Sequence, residues 1–286
     1  MQKQTKSALF RKLIAKDCVM MPGVPNAAVA RQVERAGFEA VYISGAGMAN
    51  STAGVPDIGL LTLTEVARLA GYIAHAVNIP AIVDADTGFG GAENVARTIR
   101  ELESAGLAGC HIEDQEFPKR CGHLAGKSIV DVDEMVGKIK AAVAARSDPD
   151  FMIIARTDAR AVEDFDRAVN RAGRYLEAGA DAIFPEALPS AEEFKTFAAE
   201  IKAPLLANMT EFGKSPLLSF KELSDLGYGM VIYPMSAFRV SMKASEEFLR
   251  DLKKQGTQSG WIDKMQTRQE LYDLLNYDPA AGNWPG

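Results

Sequence analysis

The sequence predicts an α/β chain whose parallel strands close into a (β/α)8 TIM-type barrel, with an additional C-terminal helical segment. Three observations carry this expectation. Short apolar runs recur eight times, amphipathic stretches fill the gaps between them, and a glycine ends the helix before several of the runs.

The runs are CVMMPG (18–23), AVYISG (40–45), PAIVDAD (80–86), AGCHIED (108–114), FMIIARTD (151–158), DAIFPEA (181–187), APLLANMT (203–210) and YGMVIYPM (228–235). Near-continuous apolar runs of this length suit strands buried on both faces, as in a parallel sheet covered by helices. The stretches NAAVARQVERAG, TEVARLAGYIAHAV, AENVARTIRELESAG and EDFDRAVNRAGRYLEAG place apolar residues at helical spacing. A weak repeat, ERAGFEAVYISG, ESAGLAGCHIED, LEAGADAIFPEA and SDLGYGMVIYPM, runs helix end, glycine, strand. A doubly wound open sheet is the competing arrangement, but no GxGxxG follows the first run. Residues 1–254 are assigned to the barrel. Residues 255–286, with the helical stretch GTQSGWIDKMQTRQELYDLLNY, form an extension that packs on its own barrel or on a neighbouring one.

At 286 residues, with 47% hydrophobic and 24% charged side chains, the chain can bury one large core. A formal net charge of −6 argues against nucleic acid or an anionic membrane as partner and leaves a small anionic substrate gripped by local cations. No run of about 18 apolar residues is present, and three cysteines at unrelated spacings suit a reducing, cytoplasmic setting. Cys18 and Cys110 lie in apolar runs and read as buried, inert thiols; Cys121 does not.

In a (β/α)8 barrel chemistry gathers at the C-terminal strand ends. Asp84 and Asp86 stand two apart at one such end, where strand alternation aims both carboxylates the same way. A hard divalent ion such as Mg²⁺ relieves that repulsion, with Glu113 joining through a water; the alternative is that the aspartates cap the turn. Arg156 ends an apolar run and must meet an anion, either Asp158 or a neighbouring carboxylate, or a substrate carboxylate. The long connections 46–60 and 115–129 are places for lids. In PKRCGHLAGK (118–127), Lys119, Arg120 and a protonated His123 would lower the Cys121 pKa, whereas burial on closure would raise it. Cys121 reads as a proton donor or acceptor delivered by a closing loop with Gly122 and Gly126 as hinges, or as an incidental surface thiol.

The stretch HIEDQEFPKRCGHLAGK, with DADTGFG before it and ARTDA, FPEA, LANMTEFG, YPMSAFR and MQTRQELY after it, resembles the isocitrate lyase/PEP mutase superfamily. The resemblance spans nearly the whole chain, and the short barrel is most similar to the branch that cleaves 2-methylisocitrate. It implies a Mg²⁺-dependent carbon–carbon lyase of propionate catabolism that yields pyruvate and succinate by retro-aldol-type chemistry. It also implies a last helix exchanged between partners in a dimer of dimers, a homotetramer. On this resemblance Asp84 and Asp86 hold the metal and Cys121 is the acid/base residue of the loop. Ser44, Gly45 and Ala46 meet the 2-oxo acid end. Gly122, Arg156, Glu186, Asn208, Met209, Thr210, Arg239 and Arg268 contact the rest of the substrate. Tyr42, or a metal-bound water held by Asp57 or Glu113, takes the hydroxyl proton. Leu124 and Ala125 replace the Arg and Pro common in that branch, and are similar to relatives that cleave 2,3-dimethylmalate or isocitrate. Oxaloacetate and phosphonopyruvate hydrolysis are the other activities the resemblance allows.

Overall fold

Each apolar run forms a strand in the computed structural model, which describes residues 4–281. The strands are β1 (Val19–Pro22), β2 (Val41–Ile43), β3 (Ala81–Asp84), β4 (Gly109–Glu113), β5 (Met152–Thr157), β6 (Ala182–Pro185), β7 (Leu206–Asn208) and β8 (Met230–Tyr233). Parallel ladders join β2 through β6 in order and β7 to β8 to β1. Parallel bridges Gly23–Tyr42 and Ile183–Leu205 connect the two sets, so each strand neighbours the next and β8 returns to β1, the pairing of a (β/α)8 barrel.

The repeat glycines do what the sequence asks of them. Gly37, Gly106, Gly179 and Gly227 stop helices with φ between 85° and 104°, a region costly for any residue with a Cβ.

Side chains separate into two cores. Met21, Ile82, Met152, Phe184, Leu206 and Met230 fill the barrel interior. The outward-facing alternates, among them Val83, Ile112, Ile153 and Val231, pack under the helices. A helix that the eight-unit pattern does not include, Lys6–Lys16, is N-capped by Thr5 and buries Phe10 against Val19, Ala40 and Ala108 at the strand starts. It seals the end opposite the strand C-termini.

The connection after β2 is a one-turn helix Gly45–Met48 running into a π-helical turn Ala49–Ala53, not an open loop. The connection after β4 has no regular element between its bridge residues Gln115 and Ile129. After β8, the twenty-residue helix Ser236–Gln255 buries none of its residues on its own barrel, and Met242 and Leu249 are 53% and 59% exposed. A 3-10 turn, Ser259–Lys264, and a helix, Arg268–Leu274, follow; the latter lies beside helix Ala27–Arg35. Residues 282–286 of the predicted extension lie outside the described residues, as do 1–3. Among the described residues no helix is long and apolar enough to cross a membrane.

Candidate active site

Strand register assembles the polar mouth. Asp84 is opposite His111, and Glu113 opposite Arg156. The side chains follow: His111 Nε2 lies 3.6 Å from Asp84 Oδ1, and Arg156 Nη1 lies 3.2 Å from Glu113 Oε2. Arg156 also donates from Nε and Nη2 to Asp158 at 3.0 and 3.2 Å, and stands over the Phe184 ring at 5.2 Å. Both protein partners expected of this guanidinium are therefore present. Burial works against its charge, but Asp158, Glu113 and Glu186 outweigh burial and hold it protonated. Burial likewise pushes Glu186 up, yet Arg156, His123 and Lys127 overcome it and keep Glu186 well below the usual carboxylate range.

The aspartate pair is arranged differently from the expected strand alternation. β3 ends at Asp84, and Asp86 sits in a turn with φ 47°, its N–H donating to Asp84 Oδ1 at 2.9 Å. One oxygen of Asp84 thus caps the turn, which is the alternative role for this pair. The other faces Gly45, where a Cβ would lie 2.9 Å from Oδ2. Burial pushes Asp86 up to about 6 despite Lys119 beside it.

Several observations bear on a divalent cation. Glu113 Oε1 is buried without a hydrogen-bond donor, and the buried Asp86 Oδ1 meets only an ammonium. The Lys119 ammonium, only 3% exposed, lies 2.7 Å from Asp86 and also contacts Asp57. Burial disfavours its charge, but Asp86, Glu113, Asp84 and Asp57 more than compensate. The mouth is thus a carboxylate cluster that draws in positive charge, and an all-oxygen donor set of this kind fits Mg²⁺. Among the described residues no three His, Cys, Asp or Glu form a complete ligand group. Mg²⁺ commonly takes one or two carboxylates and completes its shell with water and substrate oxygens.

The loop after β4 is folded down over this mouth. Gly122 lies so close to Glu186 and Arg156 that a Cβ would overlap both, so its need is for close approach; of the two expected hinges only Gly126, with φ 75°, has hinge-type geometry. His123 Nδ1 accepts the Lys214 N–H at 2.9 Å, which leaves its proton on Nε2, 3.0 Å from Glu186 Oε1. The His123 ring is thus turned to Lys214 and Glu186 and does not act on Cys121 as expected. Nor do Lys119 and Arg120 act on Cys121: the first is committed to Asp57 and Asp86, and the second packs under Gly126. Burial wins, raising the Cys121 pKa against the backbone hydrogen bond from His123. The thiol is therefore protonated at neutral pH.

Tyr42 is 3% exposed, its hydroxyl 2.7 Å from His111 Nε2. Burial and then Asp84 raise its pKa well above the usual phenol, so it holds its proton and is poorly suited to the role of base. Ser44 N-caps the helix that starts at Gly45 and continues through Ala46. Asn208 donates to Glu186 at 3.3 Å. Met209 points the other way, into the helix-side core, and Thr210 follows it just beyond β7. Arg239 lies farther out, 3.5 Å from Glu211 and over the exposed Phe212 ring. Arg268 begins the helix beside Ala27–Arg35 and, among the described residues, makes no ion pair with the residues of the mouth.

His111 is a site residue that the sequence reading leaves out, although it precedes Glu113 by two in β4 and alternation places both on one face. Lys127 is another; its partners lie 31 residues away on β5's end and across the loop.

Comparison with known proteins agrees with this geometry. A family model described as phosphoenolpyruvate phosphomutase matches residues 10–253. A 2-methylisocitrate lyase of Aeropyrum pernix is 56% identical, over 94% of this chain and 87% of that one. The crystal structure of a 2,3-dimethylmalate lyase superposes with a TM-score of 0.91 at 38% identity, covering 97% of this chain and 94% of that chain. A phosphonopyruvate hydrolase solved with oxalate and Mg²⁺ superposes with a TM-score of 0.86 at 32% identity, covering 95% of each. With its barrel pairing, its strand-end cluster and these likenesses together, the chain belongs to the phosphoenolpyruvate phosphomutase family of the PEP mutase/isocitrate lyase superfamily.

Proposed function

We propose that the protein is a carbon–carbon lyase that cleaves 2-methylisocitrate to pyruvate and succinate, and that Cys121 is its proton donor. The observation that carries the mechanism is a protonated thiol on a loop closed over Arg156, Glu186 and an aspartate pair. The relative at 56% identity, named 2-methylisocitrate lyase, supports the substrate.

Asp84 and Asp86, with Glu113 through a water, would hold Mg²⁺, which when bound supplies a Lewis acid for the oxygens of the 2-oxo acid end. The backbone of Ser44, Gly45 and Ala46 lies beside Asp84 and would seat that end. Arg156 and Asn208 would bind the succinate portion, with Arg239 and Thr210 at its outer edge. Burial raises the proton affinity of Glu113, and as the carboxylate that faces Arg156 it would accept the 2-hydroxyl proton directly or through water. Tyr42, keeping its proton, would donate a hydrogen bond to the oxygen left behind. As the bond between the hydroxyl-bearing carbon and its neighbour breaks, its electron pair passes to the neighbour as an aci-carboxylate. Cys121 then protonates that carbon, so one proton leaves the substrate and one returns.

The helix Ser236–Gln255 would be exchanged between subunits. Its apolar face is uncovered on its own barrel, and an apolar groove of about 410 Å³ lined by Met20, Val29, Val33, Phe38 and Tyr233 lies where a helix after β8 would pack. In such a pair, residues 255–286 and Arg268 would belong to the contacts between copies, and a pair of pairs would give a homotetramer. The three unpaired thiols suit a reducing cytoplasm.

Product analysis tests the substrate. Purified enzyme given 2-methylisocitrate with Mg²⁺ should release pyruvate and succinate, and EDTA should stop it. Faster cleavage of 2,3-dimethylmalate would favour the second reading, for which the superposition with that lyase speaks. Phosphate from phosphonopyruvate, or oxalate from oxaloacetate, would mark a hydrolase instead.

A further inference from the structure

The loop that carries Cys121 is held at its neck by main-chain bonds, Glu116 N–H to Ser128 O at 2.9 Å and Val130 N–H to Asp114 O at 2.8 Å. Above the neck, two buried side chains reach back to the chain on either side of Cys121. The Gln115 amide pairs with Arg120 in both directions, donating to its carbonyl and accepting from its N–H, each at 2.9 Å. Lys127, whose side chain is 1% exposed, donates to the Gly122 carbonyl and, at 2.6 Å, to Asp158 Oδ1. Asp158 in turn accepts from Arg156 and is fixed to the barrel by its own N–H, which donates to Asp114 Oδ1 at 2.8 Å.

We propose that Lys127 is a positioning residue: by tying the Gly122 carbonyl to Asp158 it locks the loop in the one position that seats Gly122 against Arg156 and Glu186 and so holds the neighbouring Cys121 over the mouth. A buried ammonium is costly unless its donors are taken, and here two are taken by groups on different elements. The same carboxylate orients both the lid and the guanidinium that grips substrate, so lid closure and anion binding share one anchor. Gln115 fixes the approach to Cys121 but does not reach β5; Lys127 alone of the two joins the lid to the substrate-binding arginine's partner.

The role of the lock in turnover rests on the lyase reading, but the lock itself can be read without substrate. Iodoacetamide labelling with peptide mapping reports each thiol separately, and Cys110, 0% exposed in the core, reports unfolding. In Lys127→Met, Cys121 should label about ten to a hundred times faster than in the wild type, the change in open population that losing a charge-assisted hydrogen bond implies. Cys110 should stay protected, and Lys127→Arg, which keeps a cation at Asp158, should restore much of the protection. In the lyase assay, kcat should fall by a similar factor with KM for 2-methylisocitrate changing much less, because binding precedes the locked state. Unchanged Cys121 labelling in Lys127→Met overturns the proposal. So does equal exposure in the Met and Arg variants, or Cys110 labelling that rises in step with Cys121, since Lys127 would then be a strut of the fold. Failure to cleave 2-methylisocitrate with labelling as expected would count against the lyase reading alone.

Discussion

His123 Nε2 stands 3.0 Å from Glu186 Oε1, so a single imidazole on the lid after β4 is fastened to the end of β6. Its other nitrogen takes the Lys214 N–H from the connection after β7, which makes His123 a bridge across three strand ends. His123→Ala removes both contacts while leaving Cys121 in sequence beside Gly122. Turnover should drop about tenfold, the scale of one lost hydrogen bond together with one close contact to a carboxylate, and steady-state kinetics would read it. An unchanged kcat would show that the lid closes without this bridge.

Gly122 gives a sharper steric test. A Cβ at this position would overlap Glu186 and Arg156, two buried side chains that cannot give way without breaking their own ion pairs. Gly122→Ala should therefore keep the lid from seating and reduce kcat at least about a hundredfold, since misplacing a catalytic group by about an ångström has that cost. The melting temperature should hardly move, because the substituted loop lies outside both cores. A large fall in melting temperature would mean that the closed loop is part of the fold's stability.

The fate of individual expectations shows what a sequence can carry. The eight strands are legible because strands buried on both faces are written as unbroken apolar runs, and the helix ends because glycine alone tolerates their φ. The N-terminal helix escapes because only Phe10, Leu13 and Ile14 of its stripe meet the core, among four cationic residues. Asp86 is legible as a polar strand-end residue but its direction is not, since that depends on where β3 stops and on a left-handed turn residue. Lys119 stands next but one to Cys121 in sequence, yet its partners Asp57 and Asp86 come from other connections, and burial decides between them. Charge partners formed across strands are set by register, which composition and spacing do not encode.

Burial raises the Cys121 thiol above its ordinary value, and the direction fixes the pH profile. An acid works in its protonated form, so raising its pKa extends the active range upward. The limb of kcat assigned to Cys121 should fall only above the roughly 8.5 of a free thiol. Cys121→Ser should lose several orders of magnitude in turnover, because a hydroxyl gives up its proton far less readily than a thiol. A limb near neutral pH in the wild type would show a thiolate in the resting enzyme and reverse the assignment of donor.

Exchange of helix Ser236–Gln255 between subunits, as proposed above, predicts how the protein assembles. Phe238, Met242, Leu249 and Leu252, with the small Ser245 between the second and third, recur at helical spacing and so form one stripe of Ser236–Gln255, a helix with no fully buried residue in the single chain. An apolar stripe of this kind beside an open apolar groove is stable in water only when another surface covers it, and the second copy's groove has the matching chemistry. Placing two carboxylates on the stripe, Met242→Glu with Leu249→Glu, would leave charges buried in that contact without partners. Light scattering after size exclusion should then give a mass near the 30.9 kDa of one chain, where the wild type should give a multiple of it. Because the two substituted residues are 53% and 59% exposed in the single chain, circular dichroism and the barrel itself should be unaffected. A variant that keeps the wild-type mass would place the subunit contact elsewhere and leave the stripe without that role.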